Sequence, residues 1–256
     1  MTTNRQFSLG VDSPVKLKLA SSIQTQPAAA SSSLSRVLAD VGPLPREALF
    51  LGMASDGLPV LLNLHDPLPG PMLVIGDEGA GKTAFLQSIA RAVPLTHDSA
   101  DVQFAVLTTR PEEWGTVETT DHMTAIFDVQ HVTAQQLVQS LAAWAHANKT
   151  ARQSVLLLVD DLETIAKWDT DALQDFRWLL LRGTARRVWP IITLNASRYG
   201  QVLAWLEMFR TRVFGWVGNE RVAEALGADK SSALDQLEAG RQFSLRENGG
   251  WLQFHI

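Results

Sequence analysis

From about residue 44 onward, short apolar runs alternate with segments in which apolar side chains recur at helical spacing. The runs predict buried strands at 71–75, 102–109, 124–129, 154–161, 189–195 and 211–217. Helices are predicted at 83–93, which Pro94 ends, after a capping box formed by Thr133 and Gln136, and over 171–187. Apolar strands that alternate with helices predict an α/β fold whose mainly parallel sheet is covered by helices on both faces.

Two further segments predict β-hairpins that flank this sheet. In ALFLGMASDGLPVLLNL, two apolar runs lie on either side of the turn Ser55–Gly57. At the other end of the chain, RQFSLRENGGWLQFHI alternates between apolar and polar positions around Asn248–Gly250. Both turns have the polar and glycine residues that tight connections between antiparallel strands need.

Residues 1–35 differ from the rest because they are polar and biased in composition. Such a segment buries too little apolar surface to offset its ordering entropy. We therefore expect a flexible low-complexity tail over 1–35 and a single domain over 36–256. The 256 residues are 46% apolar, which suits one α/β domain, and the absence of cysteine excludes disulfides and thiolate metal sites. Without a signal peptide or a long apolar run, we expect a cytoplasmic protein with no direct membrane insertion.

The chain as a whole is acidic, but one segment of it is rich in arginine. The formal net charge of −5 gives no overall attraction to nucleic acid. Because the arginine side chain is a planar fork, a cluster of arginines favours contact with phosphates or carboxylates, although an ordinary solvated basic surface is the alternative. Seven arginines and no lysine lie in one such cluster: Arg177, Arg182, Arg186, Arg187, Arg198, Arg210 and Arg212.

The strongest chemical signal is GDEGAGKT at 76–83, directly after the apolar run PMLVI. Its glycines let successive backbone amides point into one concavity at the start of a helix, where a phosphate anion is favoured. Lys82 would reach the β and γ phosphates, and the Thr83 hydroxyl would bind Mg²⁺. A glycine-rich turn without a ligand is the alternative. The predicted nucleotide contacts are Gly76, Asp77, Glu78, Gly79, Ala80, Gly81, Lys82, Thr83 and Ala84.

The second signal is the pair of carboxylates that ends VLLLVDD. Asp160 is predicted to hold Mg²⁺ at the mouth of the loop. Asp161 either polarises the attacking water, as a base one methylene shorter than the usual Glu, or caps the helix that follows. Glu163 is expected at the surface rather than as a substitute base. Asn195, at the end of the next strand, either senses the γ-phosphate or only forms a turn.

Residues 44–256 resemble the motor core of the FtsK/SpoIIIE branch of the FtsK–HerA ATPase superfamily. The likeness extends beyond the loop, in the family's order along the chain. It lies in LGMASDGLPVLLNLHDPLPGPMLVIG, MTAIFDVQHVTAQQLVQSL, LLVDD, ARRVWPIITLNASR, and TRVFGWV with its closing hairpin. The loop is specific, and the other segments carry weight together rather than singly.

This resemblance implies a RecA-like P-loop NTPase fold and assembly into rings, hexamers in that family. It also implies the use of ATP to pull double-stranded DNA, or in some branches protein, through a central pore. Asn195 matches the family's sensor strand, and Arg186 and Arg212 match two family arginines, either of which could act on ATP bound by a neighbouring subunit.

The chain also departs from the family pattern. Asp161 replaces Glu, and the glutamine of the sensor motif is missing. Slow hydrolysis is therefore expected, and targeting is expected to need a protein partner. Three functions stay open: a DNA translocase, a nucleotide-held switch or scaffold in a larger assembly, and a protein-secretion motor.

Overall fold

The computed structural model describes residues 28–256 except 116, 118, 119, 149–151 and 248. The helices are α1 Ala28–Val41, α2 Lys82–Thr96, α3 Val132–Ala147, α4 Leu162–Ile165, α5 Thr170–Arg182, α6 Leu203–Leu206 and α7 Glu220–Ala225. The strands are β1 Ala48–Ala54, β2 Pro59–Asn63, β3 Met72–Gly76, β4 Val102–Thr108, β5 Met123–Asp128, β6 Ser154–Val159, β7 Val188–Asn195, β8 Thr211–Phe214, β9 Gln242–Glu247 and β10 Gly250–His255. Turns of 3₁₀ helix include Thr184–Arg186 and Ala196–Gln201.

One sheet contains all ten strands of the described residues, in the order β2-β1-β10-β9-β8-β3-β7-β6-β4-β5. From β8 to β5 all neighbours are parallel, whereas the pairs between β2 and β8 are antiparallel. In the parallel part, β7 lies between β3 and β6, so the ends of these three strands meet at one edge. That edge carries the sequence motifs, because β3 runs into the glycine loop and β6 into the two carboxylates.

Helices cover both faces of the parallel strands, as the apolar runs predict. On one face α2 contributes Phe85 and Ile89 to a core shared with the strands. On the other face α3 contributes Leu137 and Leu141, and α5 contributes Phe176. Strands β3 and β6 are buried along their whole length, which explains why they read as continuous apolar runs rather than alternating ones. The predicted α/β fold is confirmed.

Both predicted hairpins are present. β1 pairs antiparallel with β2, and Gly57 in their turn has a φ of 82°. β9 pairs antiparallel with β10, from Glu247 opposite Gly250 to Gln242 opposite His255, although Asn248 of the predicted turn lies outside the described residues. These strands extend the parallel sheet by antiparallel pairing through β8 and β9.

Two predicted helix boundaries are wrong. α2 continues through Pro94 to Thr96, because a proline in the last turn removes few of the hydrogen bonds that hold the helix, and the His97 amide still donates to the Val93 carbonyl at 2.9 Å. α3 is capped by His131, whose side chain accepts a hydrogen bond from the Thr133 amide, so Thr133 is inside the helix rather than at its cap.

Helix α1 begins at Ala28, inside the segment 1–35 for which a flexible tail is expected, and the flexibility of that segment stays a prediction. The helix has an apolar side, and Leu38 packs with Phe50 of β1 and Ala92 of α2 in a small separate core. The run of alanines at its start also favours helix. Residues 1–27, the rest of the predicted tail, lie outside the described residues. In the part of the chain that is described, no helix has the length and apolarity to cross a membrane.

Candidate nucleotide site

The glycine loop between β3 and α2 has the backbone that the sequence predicts. Gly79 has a φ of 78° and Gly81 a φ of 88°, both in the left-handed region that residues with a Cβ seldom adopt. Gly81 is also the N-cap of α2 and contributes no side chain to cap it. The first amides of this 15-residue helix are therefore left for a ligand at the positive end of the helix dipole.

The loop is packed against a part of the chain that the sequence reading did not assign to the site. A Cβ on Gly81 would lie 2.7 Å from the Gly240 Cα, so the turn at Gly240 rests directly on the loop. The Asp77 amide donates to the Trp216 carbonyl at 2.9 Å, and the Asp77 carboxylate accepts from the Gly218 amide at 2.9 Å. Glycine at 240 and 218 was the available signal, but glycine alone is too common to identify a contact.

Lys82 is positioned at the mouth of this loop. Its ammonium donates to the carbonyls of Gly76 at 3.0 Å and of Asp77 at 2.8 Å. Burial lowers the pKa of Lys82, while nearby carboxylates, Asp160 foremost, oppose that shift. A half-buried cation held only by neutral carbonyls is suited to a phosphate, which offers it charged acceptors.

Asp160 joins the loop to the neighbouring strand. Its Oδ2 accepts from the Thr83 hydroxyl at 2.8 Å, and its Oδ1 accepts from the Thr193 hydroxyl of β7 at 2.8 Å. Burial raises the pKa of Asp160, the charge of Asp161 adds to the rise, and the two hydroxyls oppose it. Thr193 was missed from the sequence, although a lone hydroxyl in the apolar strand WPIITLN was a usable signal.

Thr83 and Asp160 fit the predicted Mg²⁺ site, because a hydroxyl and a carboxylate already in contact are the oxygen ligands this ion prefers. Among the described residues, no cluster of three or more His, Cys, Asp or Glu side chains could hold a metal ion. An ion here would therefore need phosphate oxygens and water as further ligands, which is the usual arrangement for Mg²⁺ with a nucleotide.

Asp161 occupies the N-cap position of α4, but its side chain makes no capping hydrogen bond. The carboxylate accepts instead from the Thr109 hydroxyl, just past β4, at 3.1 Å, and the Asp161 amide donates to the Thr193 hydroxyl at 2.8 Å. Its φ of 84° is unusual for a residue with a Cβ. The capping alternative is thus wrong for this side chain, and its role as a base stays a prediction.

Glu163 was expected at the surface, and that expectation is wrong. It is buried in the first turn of α4, at 3% exposure. Burial raises the pKa of Glu163, and the charge of Asp161 acts in the same direction. The alternation of apolar and polar residues in DLETIAKW could not reveal this, because it does not show that α4 packs on β7 and that the Asn195 backbone and Arg198 approach the carboxylate.

Asn195 ends β7 opposite Gly76 in the parallel register, so it does lie at the edge of the site. Its side-chain oxygen accepts from the Ser197 amide at 3.1 Å and from the Ser197 hydroxyl at 2.9 Å. These contacts are those of the turn-forming alternative. Sensing of a γ-phosphate stays a prediction, and it would require the side chain to leave this turn.

The two arginines predicted to act on a neighbouring subunit lie away from the loop of their own chain. Arg212 is opposite Leu73, near the start of β3, and its guanidinium donates to the carbonyls of Leu226 at 2.7 Å and of Leu206 at 2.8 Å. Arg186 precedes β7 and donates to the Asn148 carbonyl at 3.5 Å. Arg212 therefore joins the C-terminal ends of α6 and α7 in its own chain, and action in trans stays a prediction for both arginines.

Three other arginines of the cluster make separate contacts. Arg177 lies 4.9 Å above the ring of Trp205, and Arg187 donates to the Leu64 carbonyl at 2.9 Å. Arg198 approaches Glu163. The cluster in the sequence is thus distributed over several places in the fold.

A glycine loop between a parallel strand and a helix, with Asp160 on a nearby strand, defines a P-loop nucleotide-binding fold. The chain is similar to Thermomonospora curvata EccC (ATPases 2 and 3) in complex with a signal sequence peptide, with a TM-score of 0.63 and 19% identity over 86% of this chain and 43% of that one. It is similar to the cytoplasmic domain of the Thermomonospora curvata Type VII secretion ATPase EccC, with a TM-score of 0.66 and 18% identity over 83% of this chain and 27% of that one.

The pCW3 conjugation coupling protein TcpA, in a monomer form with ATPgS, is similar as well, with a TM-score of 0.63 and 13% identity over 84% of this chain and 67% of that one. No protein-family model and no curated protein matches the chain. At these identities the likeness establishes the fold alone, and it agrees with the predicted P-loop α/β fold. The chain spans less than half of each EccC chain, so the activities of those whole proteins do not transfer with the fold.

Proposed function

We propose that this chain is an ATP-binding and ATP-hydrolysing motor domain that works in a ring of copies. The observation that carries the proposal is the joint placement of Lys82 at the loop and of Thr83 against Asp160. A cation for phosphate and an oxygen pair for Mg²⁺ lie together at the start of α2, the end of a helix that favours an anion. Double-stranded DNA is the proposed polymer, on the motif likeness to the FtsK/SpoIIIE branch, and the proposed location is the cytoplasm.

Bound MgATP would supply the phosphoanhydride bond whose γ-phosphoryl group is transferred to water. In this proposal Lys82 exchanges the carbonyls of Gly76 and Asp77 for phosphate oxygens, and the first amides of α2 orient the phosphates. Thr83 and Asp160 hold the metal ion, with Thr193 fixing the carboxylate from behind. Asp161, oriented by Thr109, accepts the proton of the attacking water.

A second candidate is a nucleotide-held switch or scaffold with weak hydrolysis. It is supported by the contacts of the residues that would act on the γ-phosphate side. The Asp161 carboxylate is hydrogen-bonded to Thr109, and the Asn195 side chain is engaged by Ser197. The loop, in contrast, needs only the Lys82 side chain to move. Binding without fast turnover is the expected behaviour of such a site.

The third candidate is a motor for protein secretion. The EccC structures support it, since one is described with a signal sequence peptide, while TcpA is described as a conjugation coupling protein. A ring of copies and a targeting partner are proposals that rest on the same likeness. The net charge of −5 implies that any DNA contact is confined to a local surface of the assembly.

The experiment that tests the proposal is steady-state ATP hydrolysis with and without long duplex DNA, with Lys82→Ala as the control. Turnover that DNA stimulates and that the substitution removes would support the DNA motor. Tight ATP binding with negligible turnover under both conditions would support the switch. ATP turnover that DNA leaves unchanged would support a protein polymer, rather than DNA, as the substrate of the motor. Failure of the unaltered chain to bind MgATP would overturn all three.

A further inference from the structure

Glu163 has an environment that the proposed mechanism does not use. Its side chain is only 4% exposed, and neither carboxylate oxygen has a hydrogen-bond partner among the described residues, although the nearby backbone amides of Glu163 and Asn195 oppose the rise in its pKa. Buried carboxylates are normally paired or hydrogen-bonded, because the loss of water around a charge is costly. The burial of Glu163 is therefore explained if a cation moves closer to it in another state of the protein.

Arg198 is the cation in position to become that partner. Its Nη1 lies 3.7 Å from Glu163 Oε1, which is within ion-pair range but longer than a charge-assisted hydrogen bond. The Arg198 side chain is 55% exposed and free to adjust its approach from the solvent side. A forked guanidinium could close on both oxygens with a shift of about 1 Å, reaching the usual N–O distance of such pairs.

The two residues connect two sides of the candidate site. Glu163 lies on α4, directly after Asp160 and Asp161, whereas Arg198 lies in the 3₁₀ turn Ala196–Gln201, directly after Asn195. α4 also packs on β7, the strand that leads into this turn. Closure of the pair would thus fix the turn relative to the carboxylates at the end of β6.

The charges around Glu163 give a reason for that closure to depend on nucleotide. Glu163 and Asp161 both act on Lys82, and Asp161 acts on Glu163, so these groups lie within electrostatic range of one another. MgATP adds net negative charge beside a carboxylate that is already buried. Repulsion of that kind is relieved when a cation moves closer.

We propose that Glu163 is a positioning residue, which draws Arg198 into a closed ion pair when MgATP binds and thereby fixes the turn after Asn195. This inference rests on the proposed nucleotide site. It assigns Glu163 no contact with the substrate, and it makes the turn 196–201 the element that differs between the empty and the loaded chain.

The test is amide hydrogen exchange across 196–201, with and without a non-hydrolysable ATP analogue and Mg²⁺, alongside a fluorescent measurement of analogue affinity. In the unaltered chain the analogue should slow exchange in this segment at least about tenfold. Glu163→Gln and Arg198→Ala should each reduce that effect to about twofold or less, and the double variant should be no worse than either single one. Affinity should fall less than about tenfold in each variant, because the loop residues are intact.

Because the Arg198 side chain is exposed, Arg198→Ala should leave the fold intact, so loss of protection in that variant is not due to misfolding. Arg198→Lys should restore only part of the protection, because lysine lacks the forked guanidinium. Arg182→Ala, an exposed arginine at the other end of its helix from the site, is the matched control and should retain the full protection. Full protection in Glu163→Gln, or loss in Arg182→Ala, would overturn the inference while leaving ATP binding intact. No analogue binding by the unaltered chain would overturn the proposed function and the inference together.

Discussion

The glycine loop and the carboxylate cluster at the ends of β6 and β7 are neighbours in space but are built in different ways. The loop is a local structure, in which two glycines in the left-handed region and the start of α2 fix the backbone within a few residues. The cluster is assembled from four segments: Thr83 on α2, Thr109 after β4, Asp160 after β6, and Thr193 on β7.

The difference shows in what each region needs from its surroundings. In the proposed function the loop residues bind phosphate through the backbone, so most side chains there would be free to vary without loss of anion binding. Each carboxylate of the cluster depends on a hydroxyl from another strand for its orientation. We therefore expect a single change of backbone or charge in the loop to cause a large loss of binding or stability, and single changes in the cluster to cause smaller, partial losses.

The largest effect is expected for Lys82→Ala. Loss of the ammonium removes charge-assisted hydrogen bonds to phosphate worth about 1.5–3 kcal/mol each, so MgATP affinity should fall at least about a hundredfold. Equilibrium titration with a fluorescent ATP analogue measures this, and the thermal unfolding curve should remain close to that of the unaltered chain. Undiminished affinity would refute the nucleotide assignment of the loop.

The next effect is expected for Gly81→Ala, as a change in stability rather than chemistry. The added Cβ would lie 2.7 Å from the Gly240 Cα, and the alanine would have to adopt the left-handed backbone that Gly81 has. The combined cost is expected to be about 3 kcal/mol. Gly79→Ala is the matched control. Gly79 has a similar φ of 78° but open space around it, so about 1 kcal/mol is expected. Denaturant unfolding of both variants gives the comparison, and equal costs would contradict the contact with Gly240.

A smaller effect is expected for Asp161→Glu. If Asp161 is the base, the extra methylene brings the carboxylate closer to the water, and kcat should rise about tenfold with little change in KM. Asp161→Asn should lower kcat in the same assay. Equal turnover in all three forms would show that the base lies elsewhere and would favour the switch function.

The smallest effect concerns the pH dependence of stability at Glu163. Its raised pKa means that the buried carboxyl favours folding at low pH, and that this contribution is lost as pH rises through the raised value. Asp161 and Lys82 also face this group, with Arg198 as its nearest cation. Glu163→Gln should therefore gain at most about 1 kcal/mol relative to the unaltered chain above pH 6, and less near pH 4. Unfolding series at both pH values would show a constant difference if the side chain were well paired.

The same contrast explains how much the sequence could predict. The loop, the six parallel strands and both hairpins follow from local patterns, because strand length, glycine spacing and turn residues act over a few positions. Thr193 and Thr109 were missed since their role comes from partners brought together by the sheet. Glu163 was misplaced for a related reason, because its helix α4 packs on β7, a strand distant in the sequence. The start of α1 was missed because its apolar side is covered by distant residues of β1 and α2.

The contact between Gly81 and Gly240 has a consequence for the order in which the chain becomes competent during synthesis. β3 and its loop leave the ribosome early, but β3 pairs only with β7 and β8, and the loop is braced by Trp216, Gly218 and Gly240. Contacts across so long a sequence separation form late in folding. A nascent or truncated chain that stops before Gly240 would carry every residue of the loop and yet present no braced phosphate cradle. Capture of nucleotide would then report that synthesis of the domain has been completed.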